Sequence, residues 1–223
     1  MLEKFKDESN LETSPCGGRC PKDGRGLEKG AVSVGLYFGS FNPVHLGHFQ
    51  LAEYLTDNSL VDEVWLVVSP CNPLKKQTDL LDEHIRLQMV ELSIAHNPRL
   101  KVSDVEFDLP VPSYTVDTLR FLSFNYPQHD FSLLIGSDNA LLFDRWRDFR
   151  VILENYRVFV YPRRGYDFNS VAHIYPQMQL LSTPYYDISS SEIRHSIAQK
   201  KDVSQWLHPD VLKFTKEKEL YIQ

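Results

Sequence analysis

From Ala31 onward, apolar runs of strand length alternate with segments of helical spacing, and this alternation restricts the fold more than any other feature of the chain. "AVSVGLYF" has the length and β-branched content of a strand. "HFQLAEYL" then sets Leu51 and Leu55 four apart on one helical face. "EVWLVVS" is a continuous valine-rich run, the pattern of a parallel strand covered on both faces. "DEHIRLQMVELSIA" returns to helical spacing, with Ile85, Met89 and Leu92 on one stripe. Further along, "LKVSDVEF" reads as strand, and "SYTVDTLRFLSFNY" as a helix with Ser113 or Thr115 near its N-cap. "FSLLIGS" is strand, "RWRDFRVILEN" helix, and "YRVFVYP" a strand stopped by Pro162. A short strand near residues 179–181, a helix opened by "ISSSEIR" and a helix near 209–218 complete the series. Repeated β-α-β units imply an α/β fold, a doubly wound parallel sheet with right-handed crossovers and a small C-terminal helical part. In such a sheet, ligands bind beyond the carboxyl ends of the strands, where the strand order switches direction.

A chain of 223 residues suits one substantial core. Residues 1–30 are rich in Gly, Pro and charge without periodicity and read as a flexible N-terminal extension, leaving 31–223 as a single domain. The net charge of −6 disfavours a nucleic-acid partner, because a duplex-binding face needs a basic excess. Small anions need only a local group of donors. No apolar run approaches the ~20 residues of a membrane span, and the N-terminus lacks a signal-peptide core, so no membrane partner and a cytoplasmic location are expected. Three cysteines without repeated spacing do not form a disulfide framework. Cys16 and Cys20 lack a second Cys/His pair at finger-like spacing, which weakens a zinc reading.

Chemistry concentrates in "GLYFGSFNPVHLGH", residues 35–48. A buried strand stops at Gly39, Ser40 and Asn42 offer turn and cap oxygens, and Pro43 can begin a helical turn. His45 and His48 follow as i, i+3 neighbours. Gly47 leaves the surface beside them without a side chain. Three readings compete: a metal site, which lacks a third ligand nearby; two ordinary core histidines; and a phosphate cradle at a helix N-terminus, where unpaired amides and the macrodipole favour anions.

Two further stretches fall at similar places. In "DISSSEIR", Ser189 and Glu192 have capping-box spacing, and Arg194 follows the first turn, where a guanidinium can take a phosphate bidentately. "LLIGSDN" ends a strand with Gly136 and Asp138, an acidic residue placed to accept from a ribose hydroxyl.

Together "GSFNPVHLGH" and "ISSSEIR" resemble the nucleotidyltransferase superfamily marked by His-x-Gly-His and a late I-S-S-T-x-I-R motif. "PSYTVDTL", "LLIGSDN" followed by "RWRDF", and "SPCNPLKK" narrow the resemblance to the bacterial nicotinate-nucleotide adenylyltransferases, from about Ser33 onward. Phe38, Asn42 and Ser191 depart from the commoner residues without loss of hydrogen bonding or size. "DLPVP" before Ser113 lacks the basic or glycine residues often found there.

The resemblance implies a Rossmann-like nucleotidyltransferase fold that moves the adenylyl group of ATP to nicotinate mononucleotide, giving nicotinate adenine dinucleotide and pyrophosphate. It implies His45, His48 and Arg194 as catalytic phosphate contacts. Gly39, Ser40, Phe41, Asn42, Gly136, Asp138, Ile188, Ser189 and Ser190 would share the ATP site with them. Lys75, Ser113, Tyr114, Thr115, Trp146 and Arg147 would hold nicotinate mononucleotide, with Trp146 on the pyridine ring. Mg²⁺ is expected on the ATP phosphates, with no metal held by protein ligands. Nicotinamide mononucleotide or phosphopantetheine as acceptor, or a binding module without turnover, are the alternatives. The oligomeric state is left open, with a homodimer among the candidates.

Overall fold

The computed structural model describes residues 30–70, 80–110 and 112–222. The extension read over 1–30 lies outside the described residues except for Gly30, as do Cys16, Cys20 and Lys75. Strands β1 (Val32–Gly39), β2 (Glu63–Val68), β3 (Leu100–Ser103), β4 (His129–Gly136), β5 (Arg157–Tyr161) and β6 (Met178–Leu180) form one sheet in the order β3-β2-β1-β4-β5-β6. Every pairing is parallel. The chain winds outward from β1 to β3 and then returns to place β4 on the other side of β1. The direction of winding therefore reverses between β1 and β4, which is the ligand position for this architecture.

Strand side chains alternate between two cores, one on each side of the sheet. Tyr37, Val64, Leu66, Val68, Leu134 and Phe159 join one; Leu36, Trp65, Val67, Leu133, Ile135, Val158 and Val160 join the other. The first is covered by α1 (Leu46–Asp57), α2 (Glu83–Ile94), α6 (Ser190–Ala198) and α7 (Pro209–Glu217). The second is covered by α3 (Thr115–Asn125) and α5 (Phe149–Asn155). A short α4 (Ser137–Ala140) follows β4 directly. Two-sided burial is why the strands read as continuous apolar runs.

Several local expectations shift. Helix α1 begins at Leu46, so Pro43 lies in the preceding turn rather than in the first helical turn. Strand β3 ends at Ser103, and "DVEF" turns away, with the Phe107 amide donating to the Asp104 carbonyl at 2.8 Å. Helix α3 has Tyr114 as its N-cap, between the two residues expected there. Helix α5 starts only at Phe149, because its N-cap Asp148 holds a left-handed backbone (φ 49°) that α-helix cannot continue through. The buried stripe of α2 runs through Arg86, Met89, Val90, Ser93 and Ile94; Ile85 and Leu92 are only partly buried. The reason is Arg86, described next.

Candidate active site

The site is built on the loop between β1 and α1. Arg86 is fully buried and donates to four backbone carbonyls: Ser40 at 2.7 Å, Ser69 at 2.8 Å, Leu81 at 2.8 Å and Pro70 at 3.0 Å. A guanidinium can enter a core when its donors are matched this way, and α2 is rotated to bring it there. The Ser69 amide also donates to the Gly39 carbonyl at 2.9 Å, which ties the ends of β1 and β2 together. Gly39 is required by packing: a Cβ there would lie 2.8 Å from the ring of Phe41. That ring is 2% exposed and meets Tyr37 and His48 edge-on, with centroids 5.8 and 5.1 Å away. Phe41 therefore supports the loop from below, and any contact it makes with a ligand is through its backbone. The Asn42 side-chain oxygen accepts from the Tyr221 hydroxyl at 2.8 Å and more loosely from the Leu81 amide at 3.5 Å.

His45 is the N-cap residue of α1, and its ring stacks on that of His48 with centroids 3.6 Å apart. The His45 amide donates to Nδ1 of His48 at 3.2 Å. An imidazole nitrogen that accepts carries no proton, so the ring hydrogen of His48 sits on Nε2, where it can be offered to an anion. His45 is 7% exposed, and its Nδ1 is buried with no hydrogen-bond partner. Burial, reinforced by the nearby Arg163 guanidinium, lowers its pKa to about 3, so it is neutral at ordinary pH. Gly47 faces the His45 ring and Tyr186, where a Cβ would come within 3.2 and 3.3 Å. Its lack of a side chain clears room for the histidine ring.

The late motif closes on this loop. The Ser190 hydroxyl donates to the Pro43 carbonyl at 2.9 Å, and Arg194 donates to the Asn42 carbonyl at 2.8 Å. Ser189 is the N-cap residue of α6, but its side chain makes no capping hydrogen bond, so the expected box with the exposed Glu192 does not form. Ile188 is half-buried against the first core. On the other side of β1, the Asp138 carboxylate pairs with Arg163 at 2.9 Å, while its second oxygen is buried without a partner. The Arg163 amide donates to the Ser137 hydroxyl at 2.9 Å.

Next to the loop lies a cleft of about 230 Å³. Gly39, Ser40, Gly136, Ser113, Tyr114, Thr115, Trp146 and Arg147 all line it. Two strand ends, three loops and the start of α3 thus bring eight of the residues singled out by sequence into one space, while His45, His48, Asp138, Ser190 and Arg194 gather around the adjoining loop. Trp146 packs on Phe143 with ring centroids 5.1 Å apart. The Arg147 guanidinium lies 4.8 Å from the Tyr114 ring centre and pairs with Asp117 at 3.2 Å. Tyr37 and Tyr161 form the inner wall; burial and their mutual proximity push the Tyr37 phenol well above its ordinary pKa, so it stays protonated.

A cytidylyltransferase-like family model matches residues 36–196. A relative from Bacteroides fragilis, named "Probable nicotinate-nucleotide adenylyltransferase", is 45% identical over 182 residues, 82% of this chain and 90% of its own. One of the same name from Flavobacterium psychrophilum is 41% identical over 191 residues, 85% of this chain and 99% of its own. The chain belongs to the nicotinate-nucleotide adenylyltransferase family. A solved nicotinic acid mononucleotide adenylyltransferase of Plasmodium falciparum, complexed with NaAD, superposes with a TM-score of 0.73 over 85% of this chain and 97% of its own. At 22% identity that likeness speaks for the fold, the doubly wound sheet expected of this adenylyltransferase family.

Three residues of this family member escaped the sequence reading. Arg86 stands on a helix whose core stripe reads through Ile85, Met89 and Leu92. Arg163 follows the carboxyl end of β5, and the positional rule that picked out Asp138 would have found it. Glu106 was assigned to a strand that stops three residues earlier.

Proposed function

We propose that this chain transfers the adenylyl group of ATP to nicotinate mononucleotide, releasing pyrophosphate and forming nicotinate adenine dinucleotide for NAD biosynthesis. The observation that carries this reading is the direct bonding of Ser190 and Arg194 to the carbonyls of Pro43 and Asn42. Two motifs far apart in sequence form one phosphate-facing wall, and it adjoins the cleft lined by Ser113, Tyr114, Thr115 and Trp146.

A phosphate oxygen of the mononucleotide attacks the α-phosphorus of ATP. The bond from that phosphorus to the β-bridging oxygen breaks, and its electrons leave with pyrophosphate. A phosphate monoester with a second pKa near ~6 is already largely dianionic, so no general base is needed. The protein must align two anions and stabilise charge on the α-phosphate and leaving group. Nε2–H of His48 is the donor to the phosphate on which charge develops, and the neutral His45 fixes its ring by stacking. Arg194 uses one strong bond on Asn42 and retains other N–H donors for the β and γ phosphates. The amides at the start of α6, with Ser189 and Ser190, extend that wall. Asp138 accepts from the ATP ribose, and Lys75, outside the described residues, is assigned to the transferring phosphates by resemblance alone. Trp146 stacks on the pyridine ring, while Ser113, Tyr114, Thr115 and Arg147 border it.

Mg²⁺ would be held through the ATP phosphates rather than by protein ligands. The groups around the loop are mostly histidine, serine and arginine, which donate to phosphate, and the Asp138 carboxylate beside them is paired with Arg163, so the set suits an anion better than a directly held Mg²⁺. When bound, the cation supplies charge neutralisation across the phosphates. The deciding assay offers ATP and Mg²⁺ with nicotinate mononucleotide, nicotinamide mononucleotide or phosphopantetheine and measures pyrophosphate. Release with nicotinate mononucleotide at least tenfold faster than with either other acceptor is expected. ATP binding with no release from any acceptor would overturn the reading in favour of a binding module.

A further inference from the structure

Among the described residues that line the cleft, Glu106 is the single carboxylate. It is 3% exposed, and its one hydrogen-bond partner among the described residues is the Thr118 hydroxyl, at 2.9 Å. Thr118 is itself fully buried on the first turn of α3, so the acceptor is fixed in place from behind. An ionised carboxylate can accept about four hydrogen bonds, and burying one with a single donor is unfavourable unless another donor arrives. The cleft is where that donor must come from.

The proposed acceptor substrate has few donors to give. Nicotinate mononucleotide has a ring carboxylate and a phosphate, both anionic acceptors, and a pyridinium ring without N–H. Its donors at neutral pH are the ribose 2′- and 3′-hydroxyls. We propose that Glu106, positioned by Thr118, accepts from the ribose hydroxyls of the pyridine mononucleotide. This rests on the assignment of the cleft to that substrate. The negative charge also repels both anionic ends of the ligand, and the pyridinium ring has no N–H to offer, so the ribose hydroxyls are the groups that can donate to it. Glu106 thereby sets the direction in which the mononucleotide enters, with its phosphate turned toward the loop at residues 39–45.

The test compares wild-type, Glu106→Gln, Thr118→Val and Thr118→Ser enzymes on nicotinate mononucleotide and its 2′-deoxy and 3′-deoxy analogues, at saturating ATP. For wild type, removing the bonded hydroxyl should lower kcat/KM roughly 10- to 100-fold, the range for a hydrogen bond to a charged group. Glu106→Gln should raise KM for the mononucleotide about tenfold, leave KM for ATP unchanged, and shrink the penalty for the deoxy analogue. Thr118→Val should produce a smaller rise in the same KM, restored by Thr118→Ser. Equal use of all three mononucleotides by wild type would overturn the proposal, as would penalties that add in full in Glu106→Gln. The analogue comparison in wild type stands even if Glu106→Gln does not fold. Normal wild-type turnover of nicotinate mononucleotide in the same assay keeps the proposed function intact whichever way the Glu106 result falls.

Discussion

The two halves of the site are held by different kinds of interaction. On the phosphate side, one buried and two half-buried donors fix backbone carbonyls: Arg86 takes that of Ser40, Arg194 that of Asn42 and Ser190 that of Pro43. On the pyridine side, apart from the buried Glu106–Thr118 pair, the contacts are exposed and partly ionic. Arg147 pairs with Asp117, Arg120 lies 3.5 Å from Asp148, and Tyr114 is 38% exposed. Surface pairs of this kind contribute little to stability, whereas buried donors that satisfy carbonyls are costly to lose. The difference suits the chemistry. Charge stabilisation needs groups that do not reorganise as the reaction proceeds, while a planar ring can be gripped by stacking that tolerates small movement.

The largest effect should come from the phosphate side. Arg86→Met leaves four carbonyls without their donor, and a loss on the order of 4 kcal/mol is expected from urea unfolding. A loss under about 1 kcal/mol would mean that the loop is not anchored through the core and would erase the contrast between the halves. His48→Ala should lower kcat by roughly 10²–10³ while both KM values change little, as for one preorganised donor. Near-normal pyrophosphate release from that variant removes His48 from the chemistry.

Trp146→Ala probes the softer half. Loss of a ring stack should weaken nicotinate mononucleotide binding roughly tenfold or more, with ATP affinity intact, each read by separate titration. Equal weakening of both ligands would make Trp146 a packing residue that supports the whole site.

The smallest effect sharpens the comparison through pH. The unfolded His45 takes a proton near 6.5, whereas the folded ring stays neutral down to about 3. Below pH 6.5 the unfolded state therefore binds a proton that the native state refuses, and stability falls as pH falls. The loss approaches about 1.4 kcal/mol per pH unit from this group, or roughly 1 kcal/mol between pH 6.5 and about 5.5. His45→Gln should flatten that segment of a plot of unfolding free energy against pH. An unchanged slope would show that His45 is protonated in the native protein.

Much of this was legible in advance. The alternation of strand and helix and the two-sided burial follow from hydrophobic spacing alone, because a parallel sheet leaves no exposed face to dilute the signal; the strand order that puts the reversal beside β1 does not. His48, Arg194, Trp146 and the Ser113 segment were singled out through motif and resemblance, and the cleft gathers the last two with Gly39 and Gly136. What spacing could not show was polar chemistry inside the core. Arg86 occupies a helical position whose charge argues for solvent, and only the four carbonyls it meets make burial favourable. Glu106 looked like one residue of a strand, because nothing in "VSDVEF" marks the turn that carries it into the cleft. The start of α5 was misplaced for a similar reason: the left-handed backbone at Asp148 has no apolar signature.

The bonds that close the phosphate loop have a consequence for how the protein comes into being. Ser190 reaches back 147 residues to Pro43, Arg194 reaches 152 to Asn42, and Tyr221 reaches 179 to the Asn42 side chain. Arg86 can hold its side of the loop while the chain is still emerging from the ribosome, and the central strands can pair soon after. The other anchors do not yet exist at that stage. A nascent chain can therefore own a nearly complete sheet while its His-x-Gly-His turn is still half-tethered, and the competence to handle ATP arrives only with synthesis of the distal segment.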